Sequence, residues 1–350
     1  MCEQLESLKS TILSCEENVK VAIVMHPNPD PDCFGSAVGL QKLILHWKPT
    51  ANVKFYYTGD ISHPQNKTLV NVLNLTLINI EDVDDFETSA NIYICVDGTP
   101  ERNLNGRCEK IQCLLVLDHH KSKTEACKLQ DIRPVGATAS IVWEYLMKEG
   151  INLNKSDDSD TVMATAIAVG IKTDTNDLVS ENVTDLDWSA YKGAMDFVSR
   201  RYLQSINNYP VPAYHFELRS RLDDEDNIHV EGGVFVGGLG YISPAKRDVL
   251  AVMATERSRM EGVDTAFVFA IVGDFIEVCV RSNGLSVDVN GLCQKIFGKE
   301  YAGGKMGSGA AKIPMSFLAV SDSPEDIKIK MWDSVRGFII TKIFGIIQGG

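Results

Sequence analysis

The chain has 350 residues, room for two domains, and its 44% hydrophobic and 23% charged fractions are those of an ordinary globular protein. A formal net charge of −13 argues against a broad basic surface for long duplex nucleic acid. No apolar run approaches the ~20 residues of a membrane span, and nine scattered cysteines without a Cys-x-x-Cys pair fit free thiols in a reducing cytosol rather than a disulfide framework or a zinc finger.

The first twenty residues read as a polar amphipathic stretch with Leu5, Leu8, Ile12 and Leu13, not as a secretory signal. A buried strand is predicted over 20–25. A helix follows over 34–47, with Ala37, Leu40, Leu43, Ile44 and Trp47 on one stripe. Further strands are predicted over 53–58, 92–96 and 114–117, and helices over 138–148 and 160–171. The pattern changes after about Met195. Arg200-Arg201 and the Pro-containing stretch 207–212 look like a helix end and a linker. Strands then recur over 228–231, 232–236, 266–271 and 275–280, alternating with helices over 246–260 and 289–297. The apolar stretch 338–347 is short and broken by Lys342, which suits a packed terminal element rather than a membrane anchor. The expected architecture is α/β: a parallel sheet with helices on both faces, then a smaller mixed-sheet domain, with the site in the cleft between them. The boundaries are 1–195 for the first domain, 196–226 for the linker and 227–350 for the second.

Acidic and histidine residues follow the predicted strands. His26, Asp30 and Asp32 follow the first, Asp97 ends the 92–96 strand, and Asp118-His119-His120 ends the 114–117 strand. Asp174 lies just past the helix over 160–171. Ligands collect at the carboxyl ends of parallel strands, so these groups point to one convergent site. A single Asp after a strand is more often a helix cap or turn residue; the coincidence of all of them is what calls for chemistry. His26, Asp30, Asp32, Asp97, His119 and Asp174 bring four negative charges and two imidazoles. Burying them together is costly without cations, and two divalent ions balance the four charges. Mixed imidazole and carboxylate donors suit Mn, Fe, Co or Zn better than Mg or Ca. Asp97, standing between the first and third clusters in the chain, is the natural bridging ligand. Cys33 and Cys95, beside these residues, read as packing residues. Adjacent histidines on a turn are expected to point apart.

These motifs resemble those of the DHH phosphoesterase family. The pattern His-x-x-x-Asp-x-Asp-x-x-Gly-Ser is met by His26, Asp30, Asp32, Gly35 and Ser36. A strand ending in Asp is met by Val96-Asp97, the Asp-His-His motif by Asp118-His119-His120, and Gly-Ile-x-Thr-Asp-Thr by 170–175. Arg281-Ser282-Asn-Gly284 and Gly303-Gly304-Lys305 resemble the family's small C-terminal DHHA1-type domain. The resemblance implies a metal-dependent phosphoester hydrolase with two divalent ions, Mn²⁺ first and Mg²⁺ or Co²⁺ as alternatives. It implies that His26, Asp30 and Asp97 hold one ion, and Asp32, Asp97, His119 and Asp174 the other. His120 would face the scissile phosphate, with Asp118 and Ser36 supporting from behind. Arg281, Ser282, Gly303, Gly304 and Lys305 would hold the far end of the substrate.

The chain departs from the family pattern at Pro31, at Gly98 and at Lys305, where the family usually has Gly-Gly-Gly-His. Those changes bear on substrate preference, not on the metal ligands. Short oligoribonucleotides and 3′-phosphoadenosine 5′-phosphate-like nucleotides are the leading substrates. Cyclic or linear dinucleotides and polyphosphate or pyrophosphate are the alternatives, and a non-catalytic nucleotide-binding protein is the alternative of another class. Lys121, Lys123, Arg133, Arg281, Lys305 and Lys312 are the cations a phosphate could use. The partners expected are thus a small phosphorylated nucleotide or short oligonucleotide, with no long duplex and no membrane, and a homodimer is compatible with the sequence.

Overall fold

In the computed structural model, residues 3–107, 109–120, 124–284, 287–305, 307–319 and 323–348 are described. The chain forms two compact units, 1–210 and 211–350.

The first unit runs α1 (Glu3–Ser14), β1 (Lys20–Met25), α2 (Pro31–Trp47), β2 (Asn52–Tyr57), α3 (Pro64–Val72), β3 (Leu77–Asn79), β4 (Ile92–Val96), α4 (Pro100–Asn103), β5 (Cys113–Asp118), β6 (Cys127–Ile132), α5 (Thr138–Lys148), α6 (Asp158–Asp174), α7 (Asp185–Met195) and α8 (Arg200–Asn207). Its sheet has the order β3-β2-β1-β4-β5-β6, and every neighbouring pair is parallel. β1 and β4 run apolar and almost fully buried, as a central parallel strand covered on both faces must. The chain order reverses between β1 and β4. That is the switch point at which open parallel sheets open a crevice for ligands, and His26 and Asp97 stand on its two sides.

Helical cover is unequal on the two faces. On one face Val21, Ile23 and Met25 pack with Leu40, Leu43, Ile141, Ile167 and other residues of the long helices. On the other, Ala22, Val24 and Cys95 meet Ile80, Phe86 and Leu104, which come from short 3-10 turns and the end of α4.

Two glycines set the approach of α2 to α6. A Cβ on Gly35 would stand 2.8 Å from Ala166 O, and one on Gly170 would stand 2.8 Å from Pro31 O and 3.0 Å from Asp32 Cα. The helices therefore touch backbone to backbone, and this brings the start of α2 beside the end of α6.

The second unit runs α9 (Ala213–Arg221), β7 (Ile228–Glu231), β8 (Val234–Ile242), α10 (Val249–Arg257), β9 (Thr265–Val272), β10 (Phe275–Ser282), α11 (Val289–Phe297), β11 (Ala302–Lys305), β12 (Ser308–Pro314) and α12 (Glu325–Gln348). Its sheet, in the order β11-β12-β10-β9-β8-β7, is mixed: β8 and β9 are parallel and the other pairs antiparallel. Val236, Phe267, Phe269 and Val280 pack against α11 and α12 on one face. Phe235, Val268 and Ala270 pack against α9 and α10 on the other. No helix among the described residues is long and apolar enough to cross a membrane.

Four expectations need adjustment. The stretch 196–226, read as a linker, holds two helices, α8 and α9. Asp174 is the last residue of α6 rather than a residue beyond it. The strand expected from 232 starts at Val234, because Gly232 and Gly233 take φ of 56° and 79° and make the β7–β8 hairpin turn. The helix expected over 246–260 is the shorter α10, preceded by a 3-10 turn at Pro244–Lys246.

Candidate metal centre

The first cluster is built by the turn from β1 into α2. Asp30 caps α2, accepting from the Asp32 and Cys33 N–H groups at 3.0 and 3.2 Å, and Pro31 follows at the first helical position. His26 leaves β1 with Nδ1 2.8 Å from Pro27 O. A carbonyl only accepts, so Nδ1 carries a proton, and Nε2 is the nitrogen a cation could take in place of its own proton. That Nε2 stands 3.3 Å from Asp97 Oδ2 and 3.7 Å from Asp30 Oδ2.

His119 repeats the device at the end of β5. Its Nδ1 donates to Val135 O at 3.1 Å, and its Nε2 stands 3.0 Å from Asp174 Oδ2 and 3.4 Å from Asp97 Oδ1. Imidazoles held by a backbone carbonyl on one nitrogen, with the other turned into carboxylates, are what a metal-ligating histidine needs.

Asp97 joins the two halves. It lies just past β4 with φ of 54°, a left-handed conformation that Asp adopts more readily than most non-glycine residues. Its N–H donates to Leu117 O at 2.8 Å, which ties it to β5. Asp32 is fully buried, and its two oxygens accept from the Thr138 and Ala139 N–H groups at 2.7 and 2.8 Å, at the start of α5. Among the described residues, donor atoms of His26, Asp30, Cys33 and Asp97 lie within 4.8 Å of one another, as do those of Asp32, His119 and Asp174, and those of Asp97, His119 and His120.

Without a cation this cluster balances its charge only by holding protons. Burial pushes the Asp32 carboxyl well above its usual range, and the neighbouring Asp97 and Asp174 carboxylates push it further. Burial opposes the ionised form of Asp97 too, but its bond from His26 and the charges of the three histidines hold it below the usual carboxylate range. A donor set of this composition, with imidazole Nε2 atoms and carboxylate oxygens converging, fits divalent ions.

All of these residues except Asp174 fall inside a recognised domain. Residues 20–171 match the model of the DHH family, N-terminal domain. Over 347 residues the chain is 31% identical to an uncharacterized protein of Methanocaldococcus jannaschii, an alignment that takes in 99% of this chain and 67% of that one. The chain belongs to the DHH family. DHH proteins are metal-dependent phosphoesterases, and this chain is an enzyme of that class. Its fold is also that of an exopolyphosphatase-related protein from Bacteroides fragilis, with a TM-score of 0.70 at 13% identity over 96% of this chain and 97% of that chain.

The Asp-His-His motif itself is arranged differently from expectation. The His119 and His120 rings do not diverge; their centroids are 4.2 Å apart. Hydrogen bonding is what distinguishes them. His120 Nδ1 is 2.7 Å from Asp118 Oδ1, which also accepts the His120 N–H at 3.1 Å. Asp118 is fully buried, whereas the His120 side chain is 43% exposed. The bond to Asp118 holds the His120 imidazole above its ordinary pKa.

Around the DHH motifs, Cys33 lies within the His26 cluster and its thiol is 3.5 Å from Asp97 Oδ2, so it is more than the packing residue it resembles in sequence. Thr138 Oγ1 donates to Asp97 Oδ1 at 3.2 Å. Neither was legible as a site residue: Thr138 is brought in by α5, and Cys33, next to Asp32, reads like any small apolar residue of a helix start. Ser36 is fully buried in α2, and its Oγ has no hydrogen-bond partner among the described residues, so it supports no ligand by that route.

The second unit presents its candidates along one row of the sheet. Arg281 of β10 pairs with Ser308 of β12, which pairs with Lys305 of β11. Cys279, Ala310 and Gly303 occupy the next row of the same face, so Arg281 borders a surface of small side chains. Arg281 Nη1 donates to Val280 O at 2.9 Å, and no carboxylate pairs with it among the described residues. The Lys305 side chain, Lys121 and Lys123 lie outside what is described.

Ser282 is occupied. Its hydroxyl lies 3.0 Å from Asp264 O, 2.9 Å from Thr265 Oγ1 and 3.2 Å from the Gly284 N–H, which uses its one proton and both lone pairs. Gly304 is needed for strand approach, since a Cβ there would meet Ser308 O and the Gly309 Cα at 2.8 Å, whereas Gly303 has only Asn290 Oδ1 at 3.8 Å. Two other candidate cations are also engaged. Arg133 pairs with Asp131 and Glu144 at 2.8 Å each, and Lys312 stands 3.8 Å from Glu277, which Arg247 also binds at 3.0 Å.

Proposed function

We propose that this DHH enzyme hydrolyses phosphoester bonds in short oligoribonucleotides and 3′-phosphoadenosine 5′-phosphate-like nucleotides with two divalent ions, Mn²⁺ in the first place. The observation that carries the reading is the pairing of two inward Nε2 atoms, on His26 and His119, with the shared carboxylate of Asp97. His26, Asp30 and Asp97 would hold one ion, and Asp32, Asp97, His119 and Asp174 the other. Bound there, the ions supply Lewis acidity toward the phosphoryl group and its attacking water.

The protein's own groups do the rest. Asp118 fixes the proton on His120 Nδ1, and the half-exposed ring offers its other nitrogen to the substrate. A protonated His120 donates a hydrogen bond to the phosphate or a proton to the leaving oxygen. Arg281 grips a second phosphate with its fork of donors, which a lysine could not do bidentately. The adjoining small residues leave room for a flat ligand, and the acidic net charge of the chain favours a compact anion over a long duplex.

A substrate panel tests the reading: 3′-phosphoadenosine 5′-phosphate, di- to pentanucleotides, cyclic di-AMP, polyphosphate and bis-p-nitrophenyl phosphate, each with Mn²⁺, Mg²⁺ and Co²⁺. Highest kcat/KM is expected on the first two with Mn²⁺. Turnover confined to polyphosphate or to the cyclic dinucleotide would replace the substrate assignment, and no turnover of any ester would favour a binding protein.

A further inference from the structure

Asp187 lies beyond the span matched by the DHH model, in the first turn of α7, and it is fully buried. Four neutral donors meet its carboxylate. Oδ2 accepts from the Gly136 N–H at 2.8 Å, the Thr184 N–H at 2.8 Å and the Thr184 hydroxyl at 2.7 Å, and Oδ1 accepts from the Ser140 hydroxyl at 2.6 Å. Thr184 caps α7 and Ser140 sits in the first turn of α5, so two helix N-termini converge on this one carboxylate.

What Asp187 holds is the segment 135–140. Two of the three residues in the Asp32–His119–Asp174 group lean on that segment. Val135 O fixes the His119 ring, and the Thr138 and Ala139 N–H groups bind both oxygens of Asp32. A Cβ on Gly136 would stand 2.6 Å from Thr175 Cγ2 and 2.9 Å from Asp187 Cγ, so the segment is wedged between Asp187 and the residue that follows Asp174. The other group is anchored elsewhere: His26 on Pro27 O and Asp30 on its own helix start. Among the described residues, the segment's hydrogen bond to that group is the one from the Thr138 hydroxyl to Asp97.

We propose that Asp187 is a positioning residue for one half of the centre: it holds the 135–140 segment so that Asp32, His119 and Asp174 converge on a single divalent ion. The inference rests on the two-ion reading above. Asp187 touches neither ion nor substrate. Its effect is selective because only one of the two groups hangs on the segment it ties down.

Mn²⁺ titration of the apoprotein by calorimetry, with free Mn²⁺ counted by electron paramagnetic resonance, tests this directly. Asp187→Asn keeps the size and one acceptor oxygen but turns an amide N–H₂ toward groups that donate. Wild type should take up two ions. Asp187→Asn should retain one at wild-type affinity and bind the other about 10- to 100-fold more weakly, the range for groups that orient ligands. Asp131→Asn is the control, because Asp131 is another buried carboxylate of this unit, bonded to Tyr145 at 2.7 Å and to Arg133; it should keep both ions. If Asp187→Asn does not fold, Ser140→Ala removes only the Oδ1 donor and should weaken the same single ion several-fold. Two unchanged affinities in a folded variant, equal weakening of both ions, or the same one-ion loss in Asp131→Asn would overturn the proposal. A wild type that does not bind two ions would defeat the two-ion reading and this inference together.

Discussion

Gly170→Ala is expected to cost function out of proportion to stability. In a helix interior alanine is favoured over glycine by about 1 kcal/mol. Here the added Cβ would stand 2.8 Å from Pro31 O and 3.0 Å from Asp32 Cα. Both are backbone atoms in the first turn of α2, so no side chain can rotate out of the way. Overpacking of this kind costs about 1–3 kcal/mol, and the net change is a loss of up to about 2 kcal/mol once the propensity gain is subtracted. For a unit of this size that corresponds to a fall of roughly 4–8 °C in Tm. The strain is relieved only if α2 and α6 move apart, and those helices carry Asp32 and Asp174. The 3.0 Å approach of Asp174 to His119 then opens. Misplacement of reacting groups on the ångström scale costs on the order of 100-fold. Turnover of bis-p-nitrophenyl phosphate with saturating Mn²⁺ should therefore fall roughly 10- to 100-fold at a temperature where the variant is fully folded by circular dichroism. Gly337→Ala in α12, where a Cβ meets nothing within 4 Å, isolates the propensity term and should raise stability by about 0.5–1 kcal/mol with activity unchanged. A Gly170→Ala protein with wild-type Tm and wild-type turnover would refute the account of the helix crossing.

Three further outcomes are expected. Asp97→Ala should abolish hydrolysis while the fold survives, and retention of more than about a tenth of wild-type turnover would be incompatible with a shared ligand. His119→Ala should weaken Mn²⁺ binding by about 10- to 100-fold or more, whereas His120→Ala should leave metal content intact and lower kcat; equal metal loss in both variants would refute the division of roles. Arg281→Ala should raise KM more than it lowers kcat, most for substrates with an extra phosphate, as read from steady-state kinetics at two salt concentrations; an unchanged KM would remove the second unit from phosphate recognition.

Much of this was legible before any coordinates. The strands over 20–25 and 92–96 stand out as short apolar runs, and the acidic and histidine residues after them fall where a parallel sheet gathers ligands. What escaped were groups with no signature of their own. The Val135 carbonyl and the Thr138 and Ala139 N–H groups are backbone atoms, and any residue type supplies them. Cys33 looks like core because it is fully buried, and only its distance to Asp97 shows otherwise. Asp187 did leave a trace, since Thr184-x-x-Asp187 is a capping-box pattern, but the pattern predicts a helix start and not a tie to α5. The β11–β12 hairpin was hidden by glycines, which lower strand propensity. Lys312 looked free because Glu277, its partner, is distant in the chain, and Arg133 because alternation along β6 does not show that Asp131, two residues before it, turns to meet it.

The six central donors are drawn from His26 to Asp174, almost the whole span of the first unit's sheet and its α6 helix. An unfolded chain offers nothing comparable, so ions held there bind the native state alone and their binding free energy becomes folding free energy. The second unit contributes none of the six. Heating should accordingly resolve two melting events, of which only one climbs as Mn²⁺ concentration is raised, and a chelator should melt the first unit early while leaving the second in place. The protein then reports its own metal status as a change in which half unfolds first.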